Sequence, residues 1–302
     1  MRRDQTIDSL LSFAARAVPF SGAIKRRIKQ QVGQQVMSER VLKDLPAFVP
    51  NSRGSQSLLA DLTWQSVRST FPLLNLLLRR AHPAVFDQVT AEAFCGDGRT
   101  AAEALAALLN RYGSDKANFH SYHYIYARIF ADLPQVSRLL EIGLGTPNTS
   151  IASHMGAEGR PGASLRAFRD YLPGAEIHGA DVDRTILFRE ERISTVFVDQ
   201  TDLASFAELR AVAGEQGFDV IIDDGLHAPG ANLAVVLFAL DALSPQGVLV
   251  IEDIKEDALP VWHVVRALLR EWCETTLIRD AADYVLVLRP RRRRAAASAV
   301  AS

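Results

Sequence analysis

Val220-Ile221-Ile222-Asp223-Asp224-Gly225-Leu226-His227 is an apolar run that ends in two carboxylates, a glycine and an imidazole. The next apolar run, Val248-Leu249-Val250-Ile251, ends in the same way on Glu252-Asp253. Short apolar runs of this kind, separated by longer stretches of helical character, read as strands of a parallel sheet built from crossover units. Successive strands of such a sheet end on one edge, where open α/β folds take their ligands. Four carboxylates and one imidazole therefore converge on a single rim. Carboxylate oxygens gathered without cysteine suit a hard cation, and a His beside them is the usual general base. One Asp after one strand would more often cap the following helix. Two matched clusters with a His outweigh that reading.

Outward from this stretch, the alternation of strands and helices begins near Val136. Strands are expected at Arg138–Ile142, Ala175–Ala180, Thr195–Val198, Phe218–Ile222, Val248–Ile251, Thr275–Ile278 and Tyr284–Leu288. The clearest helices are Leu203–Gly214, Gly230–Leu243 and Pro260–Trp272. The last two strands are joined only through Asp280-Ala281-Ala282-Asp283, too short for a crossover, so they pair antiparallel. The expected fold is α/β: a Rossmann-like, seven-stranded, mostly parallel sheet, with six parallel strands and one antiparallel edge strand.

Residues Met1–Leu45 and Leu58–Tyr112 read as helical, separated by the breaker-rich loop Pro46–Ser57 and interrupted around His82-Pro83 and Gly96-Asp97-Gly98. The chain thus divides into an all-helical N-terminal extension over 1–111, a catalytic domain over 112–290 and a basic tail over 291–302, expected to be disordered. The extension is given an accessory role, in oligomerisation or as a lid over the substrate. Its stripe of Leu10, Leu11, Phe13, Ala14, Ala17 and Val18 and its basic turn Lys25-Arg26-Arg27-Ile28-Lys29 read as a helix with a solvated face.

Composition removes other classes. The 302 residues are 48% hydrophobic and 23% charged, enough for an ordinary soluble core. The formal net charge of −1 argues against broad electrostatic binding to nucleic acid. Cys95 and Cys273 match no metal-ligand spacing, and a reduced, cytoplasmic setting is expected. No apolar run reaches transmembrane length, and no signal-peptide core appears.

The first strand, Leu139-Leu140-Glu141-Ile142, runs into Gly143-Leu144-Gly145-Thr146, where glycines let the backbone approach a ligand. A long loop, Pro147 to Gly162, precedes the helix that Ser164 opens, so no helix N-terminus is at hand for a pyrophosphate. A phosphate-free ligand such as S-adenosylmethionine fits better. Asp181 closes the second strand, where an acid can accept both ribose hydroxyls. Asp199-Gln200 closes the third, where polar side chains can bond an adenine edge. The cofactor set is Glu141, Gly143, Gly145, Ser164, Asp181, Asp199, Gln200 and Asp223, the last orienting either the cofactor or His227.

With these signals in order, the sequence resembles a class I S-adenosylmethionine-dependent methyltransferase. Gly113-Ser114-Asp115-Lys116 leading to His120, Tyr122 and His123, then Leu-Glu-Ile-Gly, Gly162-Ala163-Ser164-Leu165-Arg166, Asp-Asp-Gly-Leu-His and Ile-Glu-Asp, is similar to the metal-dependent sugar O-methyltransferases. The likeness covers about Tyr112 to Pro290. It implies Asp224, Glu252 and Asp253 as ligands of Mg²⁺ (or Mn²⁺) and His227 as general base. Leu226, where the family often has Ser, and the longer loop Ser153–Gly162 depart from the pattern.

The implied activity is O-methylation of a sugar hydroxyl on a glycosylated natural product or surface glycan. A catechol-type O-methyltransferase and a non-catalytic scaffold are the alternatives. The expected partners are the glycosylated acceptor and further copies of the chain. Asp115, Lys116 and His120, on a helix capped by Ser114, are expected to close over cofactor or acceptor. His82, His154, His178 and His263 are read as structural or surface residues.

Overall fold

The computed structural model describes Gly33 and residues 35–291. The Leu10–Val18 stripe, the basic turn at 25–29 and the tail beyond Arg291 lie outside the described residues. The chain divides into two compact units, Met1–Leu76 and Leu77–Ser302. In the first, residues 35–44 are helical and helix α1 (Gln56–Ala81) begins. No helix among the described residues is long and apolar enough to cross a membrane.

The second unit is a single sheet covered by helices. Its strands are β1 (Gln88–Thr90), β2 (Arg138–Ile142), β3 (Glu176–Asp181), β4 (Arg189–Glu190), β5 (Ile193–Phe197), β6 (Phe218–Asp223), β7 (Leu243–Ile254), β8 (Cys273–Arg279) and β9 (Tyr284–Pro290). They lie in the order β1-β8-β9-β7-β6-β2-β3-β5-β4. The mostly parallel sheet and the helical N-terminal region are as expected, but the sheet has nine strands rather than seven. The extra pair, β1 and β4, hold three and two residues. Neither has an apolar run, so periodicity could not mark them. β1 is also the only strand in the described part of 1–111.

A second correction concerns the antiparallel strand. β9 is not at the edge; it lies between β7 and β8, antiparallel to both. Val285, Leu286, Val287 and Leu288 are all buried. A run apolar on both faces needs cover that an interior slot supplies and an edge does not. The turn at 280–283 folds β9 back into that slot.

Helices α2 (Ala91–Cys95), α3 (Arg99–Tyr112), α4 (Tyr122–Asp132), α5 (Ala163–Tyr171), α6 (Ala207–Ala213), α7 (Pro229–Ala242) and α8 (Leu259–Leu269) complete the unit. The pleat sends alternate residues to opposite layers. Val220, Ile222, Val248 and Val250 pack with Leu105, Ile125 and Phe168 of α3, α4 and α5. Ile221, Leu249 and Ile251 pack with Phe238 and Trp262 of α7 and α8.

Register then fixes the rim. Ile142 stands level with Ala180 on one side and Asp223 on the other, and Asp223 stands level with Ile251. Gly143, Asp181, Asp224 and Glu252 consequently leave the sheet in one row.

The helix expected from Ser114 is broken in two. The Ser114 hydroxyl accepts from the Lys116 N–H and starts a single turn, Asp115–Ala117. The N–H groups of Asn118, Phe119 and His120 then all point to the Asp115 carbonyl, at 3.0–3.3 Å, which closes that turn into a loop. α4 begins only after Ser121, whose N–H donates to Asp280 Oδ1 at 2.9 Å.

Candidate active site

The glycine turn after β2 is shaped by protein packing. Gly143 has φ of +99°, and a Cβ there would sit 1.9 Å from the Asp224 carbonyl oxygen. Its N–H donates to Ala180, while Asp224 N–H donates to Ile142, both at 2.8 Å. Gly143 is thus required where the chain leaves β2 beside the end of β6, and the close partner is backbone. Gly145, at φ +78°, faces Met155 Cγ, 2.8 Å from its notional Cβ. Gly143→Ala should therefore dislodge the Asp224 backbone, and a thermal melt should register the loss; a melt matching the wild type would refute this packing account.

A cavity of about 430 Å³ opens along the rim, within the range of small-molecule sites. Gly143, Gly145, Asp181, Asp199 and Gln200 line it; Glu141, Ser164 and Asp223 do not. Asp181 accepts from Leu144 N–H at 2.7 Å through Oδ2 and from Asp183 N–H at 2.8 Å through Oδ1. Burial raises its carboxyl pKa against the pull of those N–H groups. Asp199 Oδ1 accepts from both the backbone and the hydroxyl of Thr201.

Gln200 uses both ends of its amide within the protein. Nε2 donates to Asp223 Oδ1 and Oε1 accepts from Leu226 N–H, each at 2.7 Å. It pins the turn carrying Asp224 and His227. Asp223 is fully buried and also accepts from Asn232 Nδ2 at 2.8 Å, which places it under the turn. Glu141, fully buried, accepts from Ser164 Oγ at 2.5 Å and pairs with Lys116 Nζ at 3.2 Å. Burial raises its pKa, with the Lys116 charge opposing.

At one end of the cavity, Asp224, His227 and Asp253 converge. His227 Nε2 lies 3.9 Å from Asp224 Oδ1 and 3.6 Å from Asp253 Oδ2. One ligand atom from each of the three falls within 4.8 Å of the others. His227 and Asp253 have φ of +56° and +55°, a left-handed backbone uncommon outside glycine. Such residues cluster at functional sites, where surrounding structure holds them. His227 Nδ1 is buried with no hydrogen-bond partner among the described residues.

Glu252 stands outside this trio. Fully buried, it accepts from the Tyr126 hydroxyl on Oε1 and from the Lys116 ammonium on Oε2. Lys116, 2% exposed, also reaches Asp224 Oδ2 at 2.5 Å. Burial alone would lower its pKa, but Asp224, Glu252 and Glu141 hold it above the ordinary lysine value. Of the three residues expected to close over a ligand, Asp115 alone lines the cavity. His120 stacks on Tyr122, with Nδ1 2.9 Å from Asp280 Oδ2 and Nε2 3.6 Å from Asp253 Oδ1.

Sequence reasoning missed Tyr122 and Tyr126 as partners of the acids. Their spacing of four puts both hydroxyls on one face of α4, which is the signal that could have found them. Asp280 reads from sequence only as a turn residue; His154, read as structural or surface, is exposed and lines the cavity.

No protein-family model matches the chain. Over 182 residues it is 32% identical to the 8-demethyl-8-alpha-L-rhamnosyl tetracenomycin-C 2'-O-methyltransferase of Streptomyces olivaceus, covering 60% of this chain and 45% of that one. Over 154 residues it is 36% identical to the mycinamicin VI 2''-O-methyltransferase of Micromonospora griseorubida, covering 50% and 36%. The fold matches a structure of the MycE methyltransferase from the mycinamycin biosynthetic pathway in complex with Mg and SAH. The TM-score is 0.50 at 26% identity, covering 64% of this chain and 56% of that one. The chain resembles the S-adenosylmethionine-dependent sugar O-methyltransferases. It spans less than half the length of the curated relatives it matches.

Proposed function

We propose that this protein is a Mg²⁺-dependent O-methyltransferase that moves a methyl group from S-adenosylmethionine to a sugar hydroxyl of a glycosylated natural product or surface glycan. The observation that carries the reading is the convergence of Asp224 Oδ1, His227 Nε2 and Asp253 Oδ2 beside a cavity lined by the Gly143 turn and Asp181. The carboxylate oxygens of Asp224 and Asp253 suit Mg²⁺ or Mn²⁺, and His227 Nε2 beside them is left to accept a proton. The match to a methyltransferase structure with Mg and SAH bound supports the same assignment.

When bound, S-adenosylmethionine supplies an electrophilic methyl group and the cation supplies Lewis acidity toward the acceptor oxygen. Asp181 is the acid placed to accept from ribose hydroxyls, with Asp199 further along the same wall. Asp224 and Asp253 would hold the cation. Glu252, already accepting from Lys116 and Tyr126, would join them as the third acid. His227 Nε2 faces both aspartates and takes the proton that the acceptor hydroxyl releases. Glu141, Ser164, Asp223 and Gln200 support these groups from behind, and Asp115 faces the acceptor side. The chemistry belongs to residues 112–290; the N-terminal region is assigned to self-association, and the protein to the cytoplasm.

Calorimetry with S-adenosylhomocysteine tests the cofactor assignment. The wild type should bind, and Asp181→Ala should weaken binding by about 1–3 kcal/mol, because buried hydroxyls and the Leu144 N–H lose their acceptor. No binding by folded wild-type protein would sink the assignment.

A further inference from the structure

Lys116 and Tyr122 are almost fully buried, and neither lines the cavity, so neither is placed to touch an acceptor. Each instead captures one oxygen of an aspartate. Lys116 Nζ holds Asp224 Oδ2 at 2.5 Å, and the other oxygen, Oδ1, is the one nearest His227. The Tyr122 hydroxyl holds Asp253 Oδ1 at 2.5 Å, and Oδ2 is the one nearest His227. The two carboxylates are thus held in the same way, one oxygen tied from behind and the other turned to a common point.

A free carboxylate rotates about its last bond, and the two aspartates repel each other when both are ionised. The tethers oppose that rotation: Lys116 on Asp224, and the Tyr122 hydroxyl, with His120 Nε2 3.6 Å away, on Asp253 Oδ1. The ammonium also offsets negative charge that the fully buried Glu252 and Glu141 would otherwise add beside Asp224.

We propose that Lys116 and Tyr122 are positioning residues for the divalent cation, each fixing the rotation of one aspartate so that a single oxygen from each meets the ion beside His227. The segment 113–132 is on this account a clamp beneath the acids, and the lid role expected for Lys116 gives way to it. The inference rests on the reading that Asp224 and Asp253 hold a divalent cation.

The test is a Mn²⁺ titration of the full chain, followed by electron paramagnetic resonance, with S-adenosylhomocysteine present and its own affinity measured in parallel. Tyr122→Phe keeps the ring stacked on His120 and removes only the hydroxyl. Loss of such an outer partner should weaken Mn²⁺ binding about 10–100-fold. S-Adenosylhomocysteine affinity and the metal-free melting temperature should stay unchanged, and enough Mn²⁺ should restore the wild-type bound spectrum. Lys116→Met should show the same loss; where it does not fold, Tyr122→Phe decides alone.

Equal Mn²⁺ affinity in Tyr122→Phe and wild type overturns the inference while leaving the cation site standing. So does a parallel fall in melting temperature, cofactor affinity and Mn²⁺ affinity, which would mark a merely structural role. A wild type that binds S-adenosylhomocysteine but no Mn²⁺ removes the reading beneath it.

Discussion

His227→Ala should lower kcat about 10²–10⁴-fold while KM for the acceptor changes little. This is the pattern for a group whose interaction is made in the transition state. The residue is placed for the role by geometry: its ring sits at the strand-end turn, Nε2 3.6 Å from Asp253, with Gly225 and the Gln200 amide fixing the turn behind it. Because Nε2 also lies within reach of a cation held by the two aspartates, the variant must be titrated with Mn²⁺ as well. A base leaves Mn²⁺ affinity nearly intact; a ligand does not. Turnover close to wild type would mean that the cation alone activates the hydroxyl and that His227 is structural.

Asp224→Ala should abolish metal-dependent turnover. It removes one of the two inward oxygens and leaves Lys116 with only Glu141 and Glu252 as partners. The Lewis-acid contribution at stake is several kcal/mol, on the order of a 10³-fold rate loss or more. S-Adenosylhomocysteine binding should persist, since Asp181 and the Gly143 turn are anchored by Leu144, Asp183 and Ala180. A variant whose turnover still responds to Mg²⁺ would place the cation elsewhere.

The positions of Asp181, Asp224, Glu252 and Asp253 were legible because parallel register forces strand ends into line, and a local apolar run is enough to find each end. His227 followed from its place three residues beyond Asp224. What lay beyond the sequence was the set of long-range partners. Lys116 meets Asp224 and Glu252 across 108 and 136 positions, and the Gly-Ser-Asp-Lys motif that singles it out does not say which acids it meets. Gly143 was legible as a glycine turn, expected to admit a ligand; what requires the glycine in the structure is the Asp224 carbonyl. Periodicity likewise marked β9 as a strand without giving its neighbours. Its interior slot depends on where β8 lands after α8, which is a matter of packing. Gln200 was placed at the right strand end, yet its amide is directed at Asp223 and Leu226 instead of outward.

The most direct test supplies S-adenosylmethionine labelled in its methyl group to the purified protein with a panel of glycosides, in excess chelator and again with Mg²⁺ restored. The account predicts label on a sugar hydroxyl oxygen, absent in chelator and recovered with Mg²⁺ or Mn²⁺. Undiminished transfer in chelator, or label found on nitrogen or carbon, would contradict it.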